Sequence, residues 1–201
     1  MSDVKHGRRE IYAALTRKAV LDAAKTLFVG KGFANTSVGD IATLANVSKG
    51  AVYHHFDDKQ EIFAQLFRES LGGVLQAVAD SMLGFDQPWA RVDAATRTFL
   101  AVYVADPEAR MLLQQVVGVL GEQRTRALDE EFALPIIRAM LVELDKVGEL
   151  KPVSIDATAR IIFDVLCGAA SSLVDATNAE VAAHELEVAI LCMFSGFRRS
   201  E

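Results

Sequence analysis

The chain has 201 residues, of which 51% are apolar, and carries a net charge of −6. That much apolar surface builds one long domain or two small ones around a buried core, and excludes a disordered chain. No run of about eighteen apolar residues is free of charge, so no membrane span is expected, and the opening MSDVKHGRRE lacks the apolar stretch of a secretory signal, which points to the cytoplasm.

The charge is unevenly spread. Residues 1–59 hold 9 Lys+Arg against 6 Asp+Glu, while residues 60–201 hold 12 against 21. A basic N-terminal piece on an acidic body is the asymmetry of a nucleic-acid-reading head.

Lys5, His6, Arg8 and Arg9 fall in the first fourteen residues. These read as a flexible basic arm, either adding phosphate or minor-groove contacts or doing nothing. Thr16 is placed to cap a first helix with the stripe Val20, Ala23, Ala24, Leu27 and Phe28; Gly30 and Gly32 end it, and Phe33 folds back onto the stripe. The Gly-Lys-Gly there lacks the downstream Lys-Ser/Thr of a phosphate loop. Thr36 or Ser37 caps a second helix, with Asp40 as a first-turn carboxylate and Val38, Ile41 and Leu44 as its apolar face. Asn46 suits a left-handed turn. Ser48 stands at the next N-cap, and residues 49–56 form a third helix with Val52 and Phe56 inward.

Helix, short turn, helix is the arrangement whose second helix enters the DNA major groove. The outward arc of that helix offers Lys49, Gly50, Ala51, Tyr53 and His54. Lys49 stands at a helix N-terminus, where backbone N–H groups favour phosphate; the two small residues let the backbone approach base edges; Tyr53 and His54 donate to phosphate oxygens. On spacing alone, an ordinary helical hairpin with a solvated polar face fits equally well.

The residue strings separate the two. VSKGAVYHHFDDKQEIF resembles the TetR family of bacterial transcriptional repressors, matching its pattern at Val47, Ser48, Lys49, Gly50, Tyr53, His54, Phe56 and Lys59, and upstream at Ala23, Leu27, Phe28, Gly32, Phe33, Thr36, Ile41 and Ala42. The close resemblance covers about residues 16–63, roughly a quarter of the chain. Asn46 stands where the family usually has glycine, and tolerates the same backbone. Ala51 stands where the family often has threonine, and exchanges a hydroxyl for a methyl group that fits a thymine. The resemblance implies a three-helix head that binds operator DNA through Thr36, Ser37, Ser48, Lys49, Gly50, Ala51, Tyr53, His54 and Lys59.

Asp58 and Glu61 form a capping-box pattern for a long helix through Leu83, interrupted at Gly72-Gly73. Lys59 lies in its first turn against the helix dipole, which points to an external anion, here a phosphate. Beyond it only helices are expected. One opens at Asp86-Gln87-Pro88, with Val92, Ala95, Phe99, Val102 and Tyr103 on its stripe, and the next at Asp106-Pro107-Glu108, with a break at Gly118 and Gly121. A long helix over 122–147, kinked by Pro135, ends at Gly148. Ser154 or Asp156 starts the penultimate helix, and Thr177 with Glu180 caps the last. The first of the two has a wide apolar face and the last is apolar over more than one face, which serves either a deep core or pairing with a second copy. The resemblance implies the second, a four-helix bundle between two subunits with Ile162, Leu166, Leu173, Val188 and Leu191 at the interface.

No catalytic or nucleotide motif is present, so no enzyme and no cofactor are expected. His54 and His55 diverge by about 100° on a helix, so no metal site is expected. Cys167 and Cys192 read as buried thiols, with a redox pair as the alternative. The resemblance implies a ligand pocket in the body; its bulky candidates are Trp89, Phe99, Tyr103, Met111 and Phe132, with Gln115 either a polar contact or an ordinary solvated residue, and Ala101 as a site to fill if it points inward. The expected protein is all-α, about nine helices, with a DNA-binding domain at 1–58 and a ligand-binding and dimerisation domain at 59–201. It would be a homodimeric repressor released from operator DNA by a small, largely apolar effector. The alternatives are a dimeric ligand-binding protein without specific DNA recognition, and a constitutive DNA-binding factor without effector.

Overall fold

The computed structural model describes residues 3–199, the side chains from residue 10 onward, so the side chains of Lys5, His6, Arg8 and Arg9 lie outside the described residues. Helix α1 (Asp3–Lys31) begins well before Thr16. Residues 8–29 contain neither glycine nor proline, so nothing stops the helix from growing backward through the expected arm. Its buried stripe starts at Val20, as the pattern required.

Helix α2 (Val38–Leu44) starts at a reciprocal capping box: Asp40 N–H donates to Ser37 Oγ at 3.1 Å and Ser37 N–H donates to Asp40 Oδ2 at 2.9 Å. Asn46 takes φ 55°, the left-handed turn expected of it. Helix α3 (Lys49–His55) is capped by Ser48, whose Oγ accepts from Ala51 N–H at 3.1 Å. Leu44 was expected inward and is 51% exposed. Val38, Ile41, Ala42 and Ala45 already define the inward direction of α2, and Leu44 projects about 120° away from it.

Helix α4 (Lys59–Met82) runs straight through Gly72-Gly73. Buried Leu71 and Val74 on either side hold the glycines in register, so the expected break is absent. Helices α5 (Pro88–Ala105) and α6 (Pro107–Leu128) follow, each with proline in its first turn. Gly121 breaks α6 with φ 77° and ψ 162°. The single helix expected over 122–147 is divided by a π-helical turn at Asp129–Ala133, before α7 (Leu134–Lys146). Pro135 is the cause: it lacks an N–H and its ring presses on the carbonyl of Glu131, and the wider π-turn makes room. Gly148, at φ 79°, ends α7. Helix α8 (Ile155–Ser172) is capped by Ser154; α9 (Ala179–Ser195) is capped by Asn178 rather than Thr177, its Oδ1 accepting from the N–H groups of Glu180 and Val181. Among the described residues the only β-pairing is one isolated bridge, Leu150 with Arg198.

Two apolar cores result. The head core gathers α1–α3 and the front of α4 around Phe28, Phe33 and Phe63, and takes in Leu112, Val116 and Val119 of α6. The body core joins the rear of α4 to α5, α7, α8 and α9. Helix α6 runs between them.

Candidate nucleic-acid interface and ligand cavity

On α3, Val52 and Phe56 anchor the inward side, which leaves Lys49, Gly50, Tyr53 and His54 exposed and Ala51 half-buried. Lys49 folds back across the start of α2, its Cε 2.9 Å from where a Cβ on Gly39 would stand, a contact that the flexible end of the lysine could relieve by moving. Ser37 and Ser48, both exposed, face outward as caps. Asp40 is held down to about 2 by the Ser37 backbone N–H, then by Lys31 and the Ser37 hydroxyl, so the cap stays charged far into acid. Burial lowers the titration of His55, helped by the charges of His54 and Arg17.

Two residues expected on this face do other work. Thr36 is 2% exposed and its hydroxyl donates to Gly32 O at 2.9 Å, so it shapes the corner between α1 and α2. Lys59 is half-buried; its ammonium donates to Phe33 O at 2.8 Å and Thr36 O at 2.7 Å, and lies 4.0 Å from the Phe33 ring centroid. The cation in that first turn therefore has internal acceptors. Those acceptors account for its placement against the helix dipole from within the fold.

The body holds a partly open cavity of about 330 Å³ between α4, α5, α6, the π-turn, α7, α8 and the end of α9. Trp89, Phe99 and Tyr103 line it, as expected. Met111, Gln115 and Phe132 are not among its lining residues. The Gln115 amide is committed to the head: its Oε1 accepts from Phe33 N–H at 3.0 Å, and its Nε2 donates to Met111 O at 3.0 Å. Phe132 packs on the head core. Ala101 is exposed and faces away from the cavity.

The sequence pattern missed α8 as a cavity wall. Ile162 and Leu166, expected at a subunit interface, face the cavity, beside Cys167 and Gly168, and Leu173 is 1% exposed in the body core. The excess apolar width of α8 was the available signal, and it reports a hollow interior. Of the expected interface residues, Val188 is 57% exposed and Leu191 half-buried. Ile161 of α8 and Val181, Val188, Cys192 and Met193 of α9 form the outward apolar surface.

The polar groups of the cavity wall are mostly occupied. Thr96 donates to Val92 O and Thr125 to Gly121 O, both at 2.9 Å. Asp129 Oδ2 accepts from Arg160 Nη1 at 3.3 Å; burial pushes the carboxyl up while Arg160 pulls it down. Burial pushes the Cys167 thiol up to about 12, so it stays protonated and unreactive at neutral pH. Among the described residues no cluster of His, Cys, Asp or Glu is arranged to hold a metal ion, and no helix is long and apolar enough to cross a membrane.

Helix α6 touches both regions. Leu112, Val116 and Val119 pack in the head core, while Leu113, Val116, Val117 and Thr125 line the cavity. Polar ties reinforce the head side: Gln60 donates to Val119 O at 2.9 Å, Arg124 pairs with Glu61 at 2.5 Å, and Glu108 pairs with Lys25 at 2.5 Å.

Comparison with known proteins matches two separate stretches of the chain. Residues 20–66 match the model of bacterial regulatory proteins of the tetR family. Residues 89–197 match the tetracyclin repressor-like C-terminal domain. The Transposon Tn10 TetC protein of Escherichia coli is 22% identical over 147 residues, 73% of this chain and 74% of that protein. Among solved structures, a putative tetR family transcription regulator from Shewanella sp. PV-4 superposes with a TM-score of 0.77 at 24% identity, over 92% of this chain and 99% of its own. The transcriptional regulator FadR from Bacillus subtilis, solved in complex with stearoyl-CoA, superposes with a TM-score of 0.74 at 17% identity, over 87% of this chain and 97% of its own.

Proposed function

Because the chain belongs to the TetR family of bacterial regulatory proteins, we propose that it is a homodimeric cytoplasmic repressor that leaves its operator when a small, largely apolar molecule fills the body cavity. The observation that carries this reading is the double contact of α6, which walls the cavity with Val116, Val117 and Thr125 and packs into the head core with Leu112, Val116 and Val119. A ligand that displaces α6 at the cavity must also displace the head that rests on it. Gly121 is the point where α6 bends, and the π-turn is the second soft joint of that segment. The body that matches this family also holds a partly open apolar space within the 300–1,000 Å³ usual for ligand sites, which favours an effector over constitutive binding.

In this reading α3 enters the major groove. Gly50 and Ala51 bring the backbone to the base edges, Lys49 reads a base or an adjacent phosphate, and Ser37, Ser48, Tyr53 and His54 hold phosphates. The outward apolar surface of α8 and α9 pairs with its copy about a two-fold axis, giving two heads on one duplex. Selection from random duplexes followed by footprinting tests this. The expected result is a pseudo-palindrome with half-sites about one helical turn, 34–36 Å, apart. Tyr53→Phe should weaken selected and random duplexes by the same factor, as loss of a phosphate contact does. Failure to enrich any sequence would favour a ligand-binding protein that reads no specific DNA.

A further inference from the structure

Among the charged residues the cavity is lined by Asp129 and Asp164, and by no lysine, arginine or histidine. Two arginines lie against lining residues and both are paired: Arg160, beside Phe163, with Asp129 at 3.3 Å and Glu130 at 3.0 Å, and Arg198, over the Trp89 ring, with Asp93 at 3.6 Å. A carboxylate or phosphate inside would lose its water beside Asp129 and find no counter-ion. A cationic ligand fares little better, because Asp129 is already paired and Asp164 is exposed to solvent, where water and salt weaken its pull.

Among the buried side chains of the wall, one carries an unspent hydroxyl whose oxygen still reaches accessible space. Tyr103 of α5 is 3% exposed, its ring meets Phe99 edge-on at 4.9 Å, and its hydroxyl makes no hydrogen bond to another described residue. Burial raises its titration far above neutrality, so it remains a donor at any physiological pH. The threonine hydroxyls of the wall, by contrast, are spent on their own helices. Resting on the effector-cavity reading above, we infer that the ligand is an uncharged apolar molecule with one oxygen placed to accept a hydrogen bond from Tyr103, and that the cavity rejects acids.

Four probes on one apolar body separate the possibilities: 4-butylphenol, butylbenzene, 4-butylbenzoate and 4-butylbenzylammonium, titrated calorimetrically into the full chain at pH 7.5. The expected order puts 4-butylphenol first, with butylbenzene about three- to tenfold weaker, the worth of one hydrogen bond. The two charged probes should be weaker than butylbenzene. Tyr103→Phe keeps the ring against Phe99 and should erase the preference for the phenol while leaving butylbenzene affinity in place. Benzoate or ammonium binding as tightly as the phenol would overturn the inference while leaving the cavity reading intact. A phenol preference that survives Tyr103→Phe would overturn it in the same way. Binding of none of the four would defeat the cavity reading, and this inference with it.

Discussion

In the head, the rings of Phe28, Phe33 and Phe63 meet pairwise at 5.3–5.7 Å and close a core in which Val20, Ala24, Ile41 and Val52 are fully buried. In the body, Phe99 and Tyr103 also meet, at 4.9 Å, yet the space they face stays open at about 330 Å³. The head is a filled unit held by local caps; the body is a wall of helices around a hollow. Since unfilled space forfeits contacts, the body gives up stability that a molecule of the right shape can restore. The difference shows where each region tolerates change.

Paired substitutions break the contrast if it is wrong. The largest effect belongs to charge insertion in the last two helices. Leu173→Glu buries a carboxylate without a partner in the body core and should cost roughly 4 kcal/mol or more, giving unfolded or insoluble protein. Val188→Glu lies on the outward face and should leave a folded monomer, seen by light scattering and circular dichroism. A folded Val188→Glu dimer would remove α9 from the proposed interface. Next in size is enlargement of a small residue. Ala24→Leu overpacks the filled head core and should destabilise by about 1–3 kcal/mol in urea unfolding. Ala95→Leu grows into the cavity and should be neutral or stabilising by up to about 1 kcal/mol, while blocking the phenol probe. Equal destabilisation by the two would mean that the hollow is not available for filling.

An effect comparable in size to the enlargements sharpens the head side. Lys59→Met removes two charge-assisted hydrogen bonds to Phe33 O and Thr36 O at a half-buried site, worth about 1–2 kcal/mol together. Operator affinity should fall with the salt slope unchanged, because the loss acts through loop geometry. A slope flatter by about one unit would instead make Lys59 a phosphate ligand.

The head was legible because its instructions are local. Ser37 and Asp40, Asn46 and Ser48 each act within three or four residues, and each stands in the structure where the sequence places it. The internal partners of Lys59 and Thr36 were not legible, because the carbonyls of Phe33, Thr36 and Gly32 belong to a corner that forms only when α1, α2 and α4 meet. In the body, helix positions follow from proline, glycine and capping residues, but the face that each apolar stripe presents does not. Ile162 and Leu166 look alike in sequence whether they meet a second subunit, a core or a cavity. Gln115 shows the same limit in reverse: a polar residue on a helix gives no sign that its partner is Phe33, 82 residues earlier.

In the proposed switch, α6 couples the cavity to the head. The most direct test measures the affinity of the selected operator duplex by fluorescence anisotropy, with and without a saturating concentration of the tightest uncharged cavity ligand. A coupling of about 1–3 kcal/mol predicts operator binding roughly 5–150-fold weaker with ligand, and ligand binding weakened by the same factor on operator-bound protein. A ligand shown by calorimetry to occupy the cavity, with operator affinity unchanged, would contradict it.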